Sequence, residues 1–549
     1  MKLFNKKTRT FSQIIFFFLF IFLITKSEFT GNTKNIESIK LPYPVSMFLE
    51  IDPLIAISTL LSSHTIYNNL IYSLIIIVLT LFLGRFFCGW VCPLGTINHF
   101  ISSFNFGKLK GKGRLQTNSY KNWQKIKYYI LFFLLSASIF TTVQIGLLDP
   151  ICLITRTMST FLIPTINYSF IGISSFLYND NIPFLNTIAN FLLYLGQHTI
   201  IPYKPVYYNS TLLISLIFII IVFANRYVTR FWCRLLCPLG ALLGVFSKYS
   251  IFGLEKNEKL CTNCNRCELY CQGGDDPQPG KKWRSSECHL CLNCISECPE
   301  NALKFKFFPG KEFTISTPDI SKRKAITSII MGVFSVPLLR SEAGLDVNYS
   351  SKLIRPPGAL EEKKFLSKCV KCSACMKVCP NNALHPTFSE AGFEGLWTPT
   401  LIPRIGYCEP SCTLCSTVCP TGAINEINQY EKGWVSQNET ENSRKNPIKI
   451  GLAFIDKGRC LPWAMNTPCI VCEEWCPTSP KSIYLEEIDS FKRNGEPVHL
   501  KRPIVDPALC VGCGACEFAC PLEERPAIYI TNIGETRSKT NQILLKEGV

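Results

Sequence analysis

RFWCRLLCPLG, Arg230–Gly240, closes an apolar run and opens the stretch on which the reading of this chain turns. Cys261, Cys264, Cys267 and Cys271 follow, and then Cys288, Cys291, Cys294 and Cys298, with Pro299 after the last. Both sets read C-x2-C-x2-C-x3-C. In that spacing each run gives three thiolates to one [4Fe–4S] cube and its fourth to the other. Cys261, Cys264, Cys267 and Cys298 are therefore assigned to one cluster, and Cys288, Cys291, Cys294 and Cys271 to a second. The first run departs from the pattern at Gln272, which stands where Pro is expected.

The chain has 29 cysteines in 549 residues, clustered after Ser250, whereas the apolar residues cluster before it. Six groups of four have mostly two- and three-residue gaps, which is ligand spacing and not that of a disulfide framework. Zinc also takes four thiolates, but usually from separated C-x2-C pairs with no Pro after the fourth. The formal charge of +17 would at first suit a nucleic-acid binder. Ligation of twenty-four thiolates to six [4Fe–4S]2+ cores lowers it to about +5. Much of the remaining Lys and Arg flanks apolar helices, so no nucleic-acid partner is expected.

Upstream, a basic start (Lys2, Lys6, Lys7, Arg9) precedes the apolar Phe11–Thr25. No small-x-small site follows, so an uncleaved anchor is expected over a signal peptide. Three firmer membrane spans are expected at about 69–87, 126–148 and 210–225. Positive charge at 108–127 and at Arg226, Arg230 and Arg234 places the N-terminus, the 103–125 loop and the 261–298 segment on the cytoplasmic side. Segments 26–68 and 149–209 then lie outside. The region repeats internally: Asp52-Pro53 leads to GRFFCGWVCPLG (Gly84–Gly95), and Asp149-Pro150 leads to RFWCRLLCPLG. The second copy carries an insertion, roughly 161–205, expected to form re-entrant or interfacial pieces.

Cys88 and Cys92 are four apart, as are Cys233 and Cys237, so each pair shares a helix face. Packed about a pseudo-two-fold axis, the four would form a metal or Fe–S site or a redox-active dithiol. Two buried structural pairs are the alternative, and unpaired Cys152 reads as packing. Arg85, Arg226 and Arg230 fit snorkelling at membrane borders.

Downstream, Lys322-Arg323-Lys324 precedes the apolar run 325–339, which contains Pro337 and is short for a crossing; a fifth span or anchor is expected over the alternative, a core helix. Four more cysteine groups follow: Cys369, Cys372, Cys375, Cys379; Cys408, Cys412, Cys415, Cys419; Cys460, Cys469, Cys472, Cys476; and Cys510, Cys513, Cys516, Cys520. A Pro follows the last Cys of each. The outer two keep the regular spacing and the inner two are stretched. Nested sharing is expected, Cys520 joining the first group and Cys476 the second, with Cys379 joining the fourth and Cys419 the third; sequential sharing is the alternative. Val370, Ala374, Val511 and Gly512 would keep water off the sulfurs. The fold class is multi-domain: an α-helical membrane domain at 1–250, a two-cluster ferredoxin-like α+β domain at 251–310, an anchor or linker at 320–341, and a four-cluster [4Fe–4S] domain at 342–549.

The first 300 residues resemble the NapH-type membrane ferredoxins and the related NosR and CcoG (FixG/RdxA-like) proteins, on the paired C-x3-C-P motifs at 88–93 and 233–238 and the eight-cysteine segment. From about 320 the chain resembles the NapG/MauM four-cluster ferredoxins. The carriers there are RPPGAL (Arg355–Leu360), EAGFEGLWTPTLIPRIGYC (Glu390–Cys408), CLPWAMNTPC (Cys460–Cys469) and CVGCGACEFACPLEE (Cys510–Glu524). NapG-type proteins usually carry a twin-arginine signal, and Ser321-Lys322-Arg323-Lys324 stands in its place without the Arg pair.

The resemblance implies a multi-pass inner-membrane protein that takes electrons from quinol, through the Cys88/Cys92/Cys233/Cys237 region and the two inner clusters, to the four-cluster domain and a periplasmic cytochrome or reductase. Asp52, Asp149, His99 and His198 are candidates for taking quinol protons, although capping or interfacial packing is the more usual role for each alone. No site for a terminal substrate is visible, so a redox subunit is implied and not a complete enzyme. A metal-reducing assembly factor of the CcoG kind, or a ferredoxin-driven quinone reductase, is the alternative.

Overall fold

The computed structural model describes residues 5–27, 41, 43, 45–65, 67–103, 111–178, 186–187, 189–191, 194, 196, 206–209, 211–309, 318, 320–340, 350–388, 390–433, 447–491 and 495–542. The expectations for His198 and for most of 179–205 lie outside these residues. Before Ser250 the described chain is helical, and after it, apart from the long helix Lys322–Arg340, one-turn helices alternate with two-stranded antiparallel sheets.

The repeat seen in the sequence is a repeat of helix starts. Asp52 caps Pro53–Ser63, its Oδ1 accepting from Leu54 N at 2.8 Å, and Asp149 caps Pro150–Thr157, its Oδ2 accepting from Ile151 N and Cys152 N. Proline at the first helical position loses no hydrogen bond there and presets φ.

The spans expected at 69–87, 126–148 and 210–225 are shorter as helices: Ser73–Leu83 after a 3-10 turn, Ile126–Ile139, and Thr211–Ala224. Gly84 at φ +82° stops the first and Thr141 at φ +67° follows the second. Among the described residues two helices are long and apolar enough to cross a membrane, Lys6–Thr25 and Pro150–Tyr178. The second is a correction, because the inserted segment continues the Asp149-capped helix as far as Tyr178. A five-residue π turn, Met158–Leu162, precedes Pro164, and a widened turn tolerates its missing N–H. Lys6–Thr25 is packed in place, with Phe20, Leu23 and Ile24 buried and Gln13 donating to Gly89 O at 2.7 Å.

Lys322–Arg340 forms one 19-residue helix with Pro337 in its last turn. It lies along Ile126–Ile139. Gly332 meets the Phe133 carbonyl so closely that no Cβ would fit, and Ser136 Oγ donates to Ile329 O at 3.1 Å.

The cysteine-rich segments are closed by their sheets. Phe252–Lys256 pairs with Leu303–Phe307 around residues 261–298. Leu384–Pro386 pairs with Pro399–Leu401 between the first and second downstream groups. Leu452–Ile455 pairs with Ile528–Thr531 around the third and fourth. The hairpin Ile483–Phe491/Pro497–Val505 projects between those two.

Both cysteine-rich units dock on the helical half, against different loops. The 261–298 unit meets the first helix and the 111–125 segment: Arg9 Nη1 donates to Cys291 O at 2.8 Å, and Asn118 Nδ2 to Leu269 O at 2.6 Å. The downstream unit meets residues 62–67, 144–156 and 207–209. Arg156 Nη1 donates to Lys371 O at 3.0 Å, and Tyr208 OH to Met376 O at 3.2 Å. These are the two sets of loops that the charge pattern assigned to opposite sides.

Candidate iron–sulfur sites

The same local fold recurs in every regularly spaced group. In Cys-x-x-Cys-x-x-Cys the residue before the second cysteine and the residue after it are both left-handed. They are Asn263 and Asn265, Leu290 and Leu292, Lys371 and Ser373, and Gly512 and Gly514. Alternating left-handed residues curl the backbone into a concave rim of N–H groups, which suits an anionic centre. Only the last group uses glycine, for which φ > 0 is unstrained. The others hold side chains in a sparsely populated region, as functional loops do. In all six groups the third cysteine lies on a one-turn helix, from Arg266, Asn293, Ala374, Leu414, Val471 and Ala515. The two stretched groups lack the left-handed pair: Thr413 (φ −124°) and Ile470 (φ −128°) precede their helices instead.

Four small apolar cavities are each ringed by four cysteines. Cys261, Cys264, Cys267 and Cys298 line one, as the spacing predicts. Cys369, Cys372 and Cys375 share theirs with Cys419; Cys460, Cys469 and Cys472 with Cys520; and Cys510, Cys513 and Cys516 with Cys476. Cys408, Cys412 and Cys415 lie beside Cys379, and Cys288, Cys291 and Cys294 beside Cys271. Sharing downstream is thus sequential, first group with second and third with fourth, and the nested expectation is corrected. The 384–386/399–401 hairpin turns the chain back so that Cys408 returns beside Cys379, and the 452–455/528–531 pair encloses the last two groups as their own unit. Stretched spacing reflects a longer rim and does not encode pairing.

Four thiols around a dry cavity fit a cube, which needs four thiolates and exclusion of water. Backbone N–H groups point at the sulfurs: Asn263 N to Cys261 Sγ at 3.4 Å, Gly274 N to Cys271 Sγ at 3.2 Å, Ala383 N to Cys379 Sγ at 3.3 Å and Ile424 N to Cys419 Sγ at 3.4 Å. Among the described residues no three His, Cys, Asp or Glu side chains close tightly enough to chelate a single ion. When bound, the cube supplies one-electron chemistry; the chain supplies thiolates, amide dipoles and dryness.

Electrostatics separate the sites. Burial pushes the Cys271 and Cys288 thiols up, and the buried Asp275 carboxylate adds to it. Cys271 Sγ lies 2.5 Å from Asp275 Oδ1, whose other oxygen accepts from Trp283 Nε1 at 3.0 Å. Burial also raises Cys476, but hydrogen bonds from Ser482 and Thr478 outweigh it and hold the thiol below its ordinary value. Burial drives Lys371, between two cysteines of its rim, down to about 7. Its Nζ is 2.5 Å from Gln144 Oε1 of the helical half. Spacing gave no signal for Asp275, Lys371 or Ser482.

Cys88, Cys92, Cys233 and Cys237 also lie within electrostatic reach of one another, all buried. Arg85, Arg230 and Arg234 are fully buried around them and around the 261–298 unit, which overturns snorkelling for Arg85 and Arg230. Arg9 Nη2 lies 3.2 Å from His99 Nε2. Asp149 and Asp52 face each other, Asp149 lies near Cys92 and Cys152, and Cys152 lies near Cys372. The Gly89 backbone, next to Cys88, abuts His289 O, between Cys288 and Cys291. The thiol sites therefore form a line. Cys261/264/267/298 lies next to Cys271/288/291/294, which lies next to the four buried thiols. Cys369/372/375/419 follows, then Cys379/408/412/415. Cys513 brings Cys476/510/513/516 beside Cys408, and Cys472 brings Cys460/469/472/520 last.

Thiol cages of this kind, on a scaffold of one-turn helices and two-stranded sheets, define an iron–sulfur protein with several [4Fe–4S] sites. A family described as a 4Fe-4S binding domain matches residues 65–112 and again 210–254, the two repeats of the helical half. A 4Fe-4S dicluster domain matches 368–423, which are the two groups that share cysteines sequentially, and a 4Fe-4S binding domain matches 503–523. The chain is 32% identical to the ferredoxin-type protein NapG of Escherichia coli over 179 residues, 32% of this chain and 69% of NapG. It is 32% identical to the methylamine utilization ferredoxin-type protein MauM of Paracoccus denitrificans over 208 residues, 36% of this chain and 79% of MauM. The MauM of Methylobacillus flagellatus is 29% identical over 233 residues, 42% and 82% of the two chains. The chain belongs to the NapG/MauM ferredoxin-type proteins and is an iron–sulfur electron-transfer protein. No solved structure matches it.

Proposed function

We propose that the chain oxidises a quinol in the cytoplasmic membrane and passes the electrons through six [4Fe–4S] clusters to a periplasmic cytochrome or reductase. The helical half is the multi-pass membrane domain, the 261–298 unit faces the cytoplasm, and the downstream four-cluster unit faces the periplasm. The observation that carries this reading is the line of neighbouring thiol sites: Gly89, next to Cys88, abuts His289 of the Cys288–Cys294 rim, and Cys152, near Asp149 and so near Cys92, lies near Cys372 of the Cys369–Cys375 rim. A line suits conduction, whereas a hydrolytic site would need a substrate cleft and a base. In this reading the order differs from the sequence expectation, with the four-cysteine site between the two cluster units and not ahead of both. Cys460/469/472/520 is the terminal site, from which the acceptor draws.

The test uses anaerobic membranes holding the full chain. Quinol should bleach the visible absorbance and develop the EPR signals of reduced clusters. With Cys88→Ala and Cys233→Ala combined, the four downstream clusters should stay oxidised. Undiminished downstream reduction in that variant removes the proposed route, and no reduction of the wild type by any quinol removes quinol as donor.

A further inference from the structure

We propose that Lys432 sets the potential of the Cys379/Cys408/Cys412/Cys415 site. Its ammonium, held against that cage by the loop 428–433, makes the cage the most easily reduced of the four downstream sites, and so the place where an electron in transit rests. The proposal deepens the six-cluster reading and rests on it. One electron arrives from the neighbouring site and the same electron leaves, with no bond made or broken.

The first observation is a loop shaped to deliver the lysine. Asn428 and Glu431 close a turn on each other: Asn428 Oδ1 accepts from Glu431 N at 2.7 Å, and Glu431 Oε2 accepts from Asn428 N at 2.9 Å. Gly433, at φ +85°, ends the turn where a Cβ would meet Pro447 Cβ at 2.7 Å. Gln429 Nε2 donates to Ser411 O at 2.8 Å and pins the turn to the rim. Lys432 is buried beneath it. Its Nζ donates to Glu409 O and, at 2.6 Å, to Cys412 O, and lies within hydrogen-bond reach of the Cys408 side chain. Cys408, Cys412 and Cys415 are the groups that act on it, and no carboxylate is among them.

The second observation is what the ammonium replaces. The four regular rims carry the pair of left-handed residues that curls N–H groups toward an anionic centre. The Cys408–Cys415 rim lacks that pair, with Thr413 at φ −124° before its one-turn helix. An ammonium against the rim supplies the missing positive field, and a charged donor to sulfur is stronger than a neutral amide. The other stretched rim has no such substitute, since no basic side chain stands among the groups that act on Cys460 and Cys472. Cations elsewhere downstream are spent differently. Arg355 and Lys371 act on Cys369, but Arg355 is paired with Glu362 and Lys371 Nζ is turned to Gln144 Oε1. Lys449, which acts on Cys510, is half-buried with its Nζ on Pro507 O and Ala508 O. Positive charge and hydrogen bonds at the sulfurs favour the reduced, more negative state of a cube and raise its potential.

The test is a potentiometric EPR titration of the anaerobically purified full chain, with iron analysis. Cys412→Ser marks the signal of this cage, and Cys472→Ser marks that of the other stretched rim. As the potential is lowered, the signal altered by Cys412→Ser should be the first of the downstream signals to appear in the wild type. Lys432→Met should keep the wild-type iron content and move that signal alone to lower potential, by about tenfold in its ratio of reduced to oxidised cluster at a fixed potential. Lys432→Arg should restore it. An unmoved signal in Lys432→Met at full iron content overturns the proposal, and so does a Cys472-marked signal that appears first in the wild type. If Lys432→Met loses iron, the wild-type order of reduction decides. The titration needs no quinol. If Cys412→Ser alters no signal and costs no iron, the cage holds no cluster and the six-cluster reading falls with the proposal; a marked signal that Lys432→Met does not move removes the proposal alone.

Discussion

The two faces by which the helical half receives its cluster units solve one problem with different chemistry. On the 261–298 side the contact is ionic: Lys127 pairs with Glu287, Tyr128 OH donates to Glu287 Oε1 at 2.9 Å, and Arg9 and Arg85 reach the carbonyls of Cys291 and Ser286. On the downstream side most donors are neutral and most acceptors are backbone carbonyls. Ser62 Oγ binds Ser367 O, Gln144 Nε2 donates to Glu394 O at 3.2 Å, and Asn382 Nδ2 to Tyr207 O at 2.8 Å. What the faces share is a glycine under a cysteine rim, Gly89 against His289 O and Gly146 against Val370 O, each too close for a Cβ. Polar chemistry varies between the faces, but closest approach of the rim does not.

The shared glycines should therefore give the largest effect. Gly146→Leu drives a side chain into the Val370 carbonyl and should slow reduction of the downstream clusters by about 100-fold, given what a displacement of about 1 Å costs at a reacting centre. The upstream clusters should still reduce normally in stopped-flow absorbance. Equal slowing of both sets would show that the rim contact is not the crossing point. On the ionic face, Glu287→Ala strands buried Lys127 and should cost about 3–5 kcal/mol, read as a lower Tm for the upstream unit.

Glu362 tests a buried carboxylate within one unit. It receives Arg355 on both oxygens and Arg537 Nη1 at 2.8 Å. Burial alone would raise its pKa, but the two guanidiniums outweigh it and hold the carboxyl below its ordinary value. Its stabilisation is thus complete above the unfolded value of about 4.3 and is lost as pH falls through the depressed folded value. Glu362→Gln should cost about 3 kcal/mol at pH 7, with the gap in Tm narrowing only in strong acid.

On the neutral face, Arg156→Met removes a donor to Lys371 O and a stack on Trp397 with the guanidinium 4.3 Å from the ring centre. The expected cost is about 2 kcal/mol, seen as earlier proteolytic release of the downstream unit. Least of all, Lys501→Ala on the exposed hairpin removes the 3.2 Å pair with Glu487 and should change stability by under about 1 kcal/mol.

The cysteine spacing made the cages legible, because three ligands of a cube come from one short run. It could not tell which fourth cysteine returns, since that depends on hairpins such as 384–386/399–401, which are only three residues a side. The Asp-Pro repeat located two helix starts correctly, but composition overestimated the helices that follow. Gly84 and Thr141 break apolar runs that hydropathy reads as continuous. Arg85 and Arg230 were misread for a related reason: an arginine next to an apolar helix looks alike in sequence whether it reaches water or a buried sulfur.

The exchange of last cysteines between neighbouring groups has a consequence for how this protein is built. No cage can be completed from its own segment, so filling one organises the backbone of the next. Biogenesis should advance in doublets. A chain starved of iron should accumulate species differing by about eight iron atoms, with few at the odd steps between. Damage to one cube should likewise release its twin.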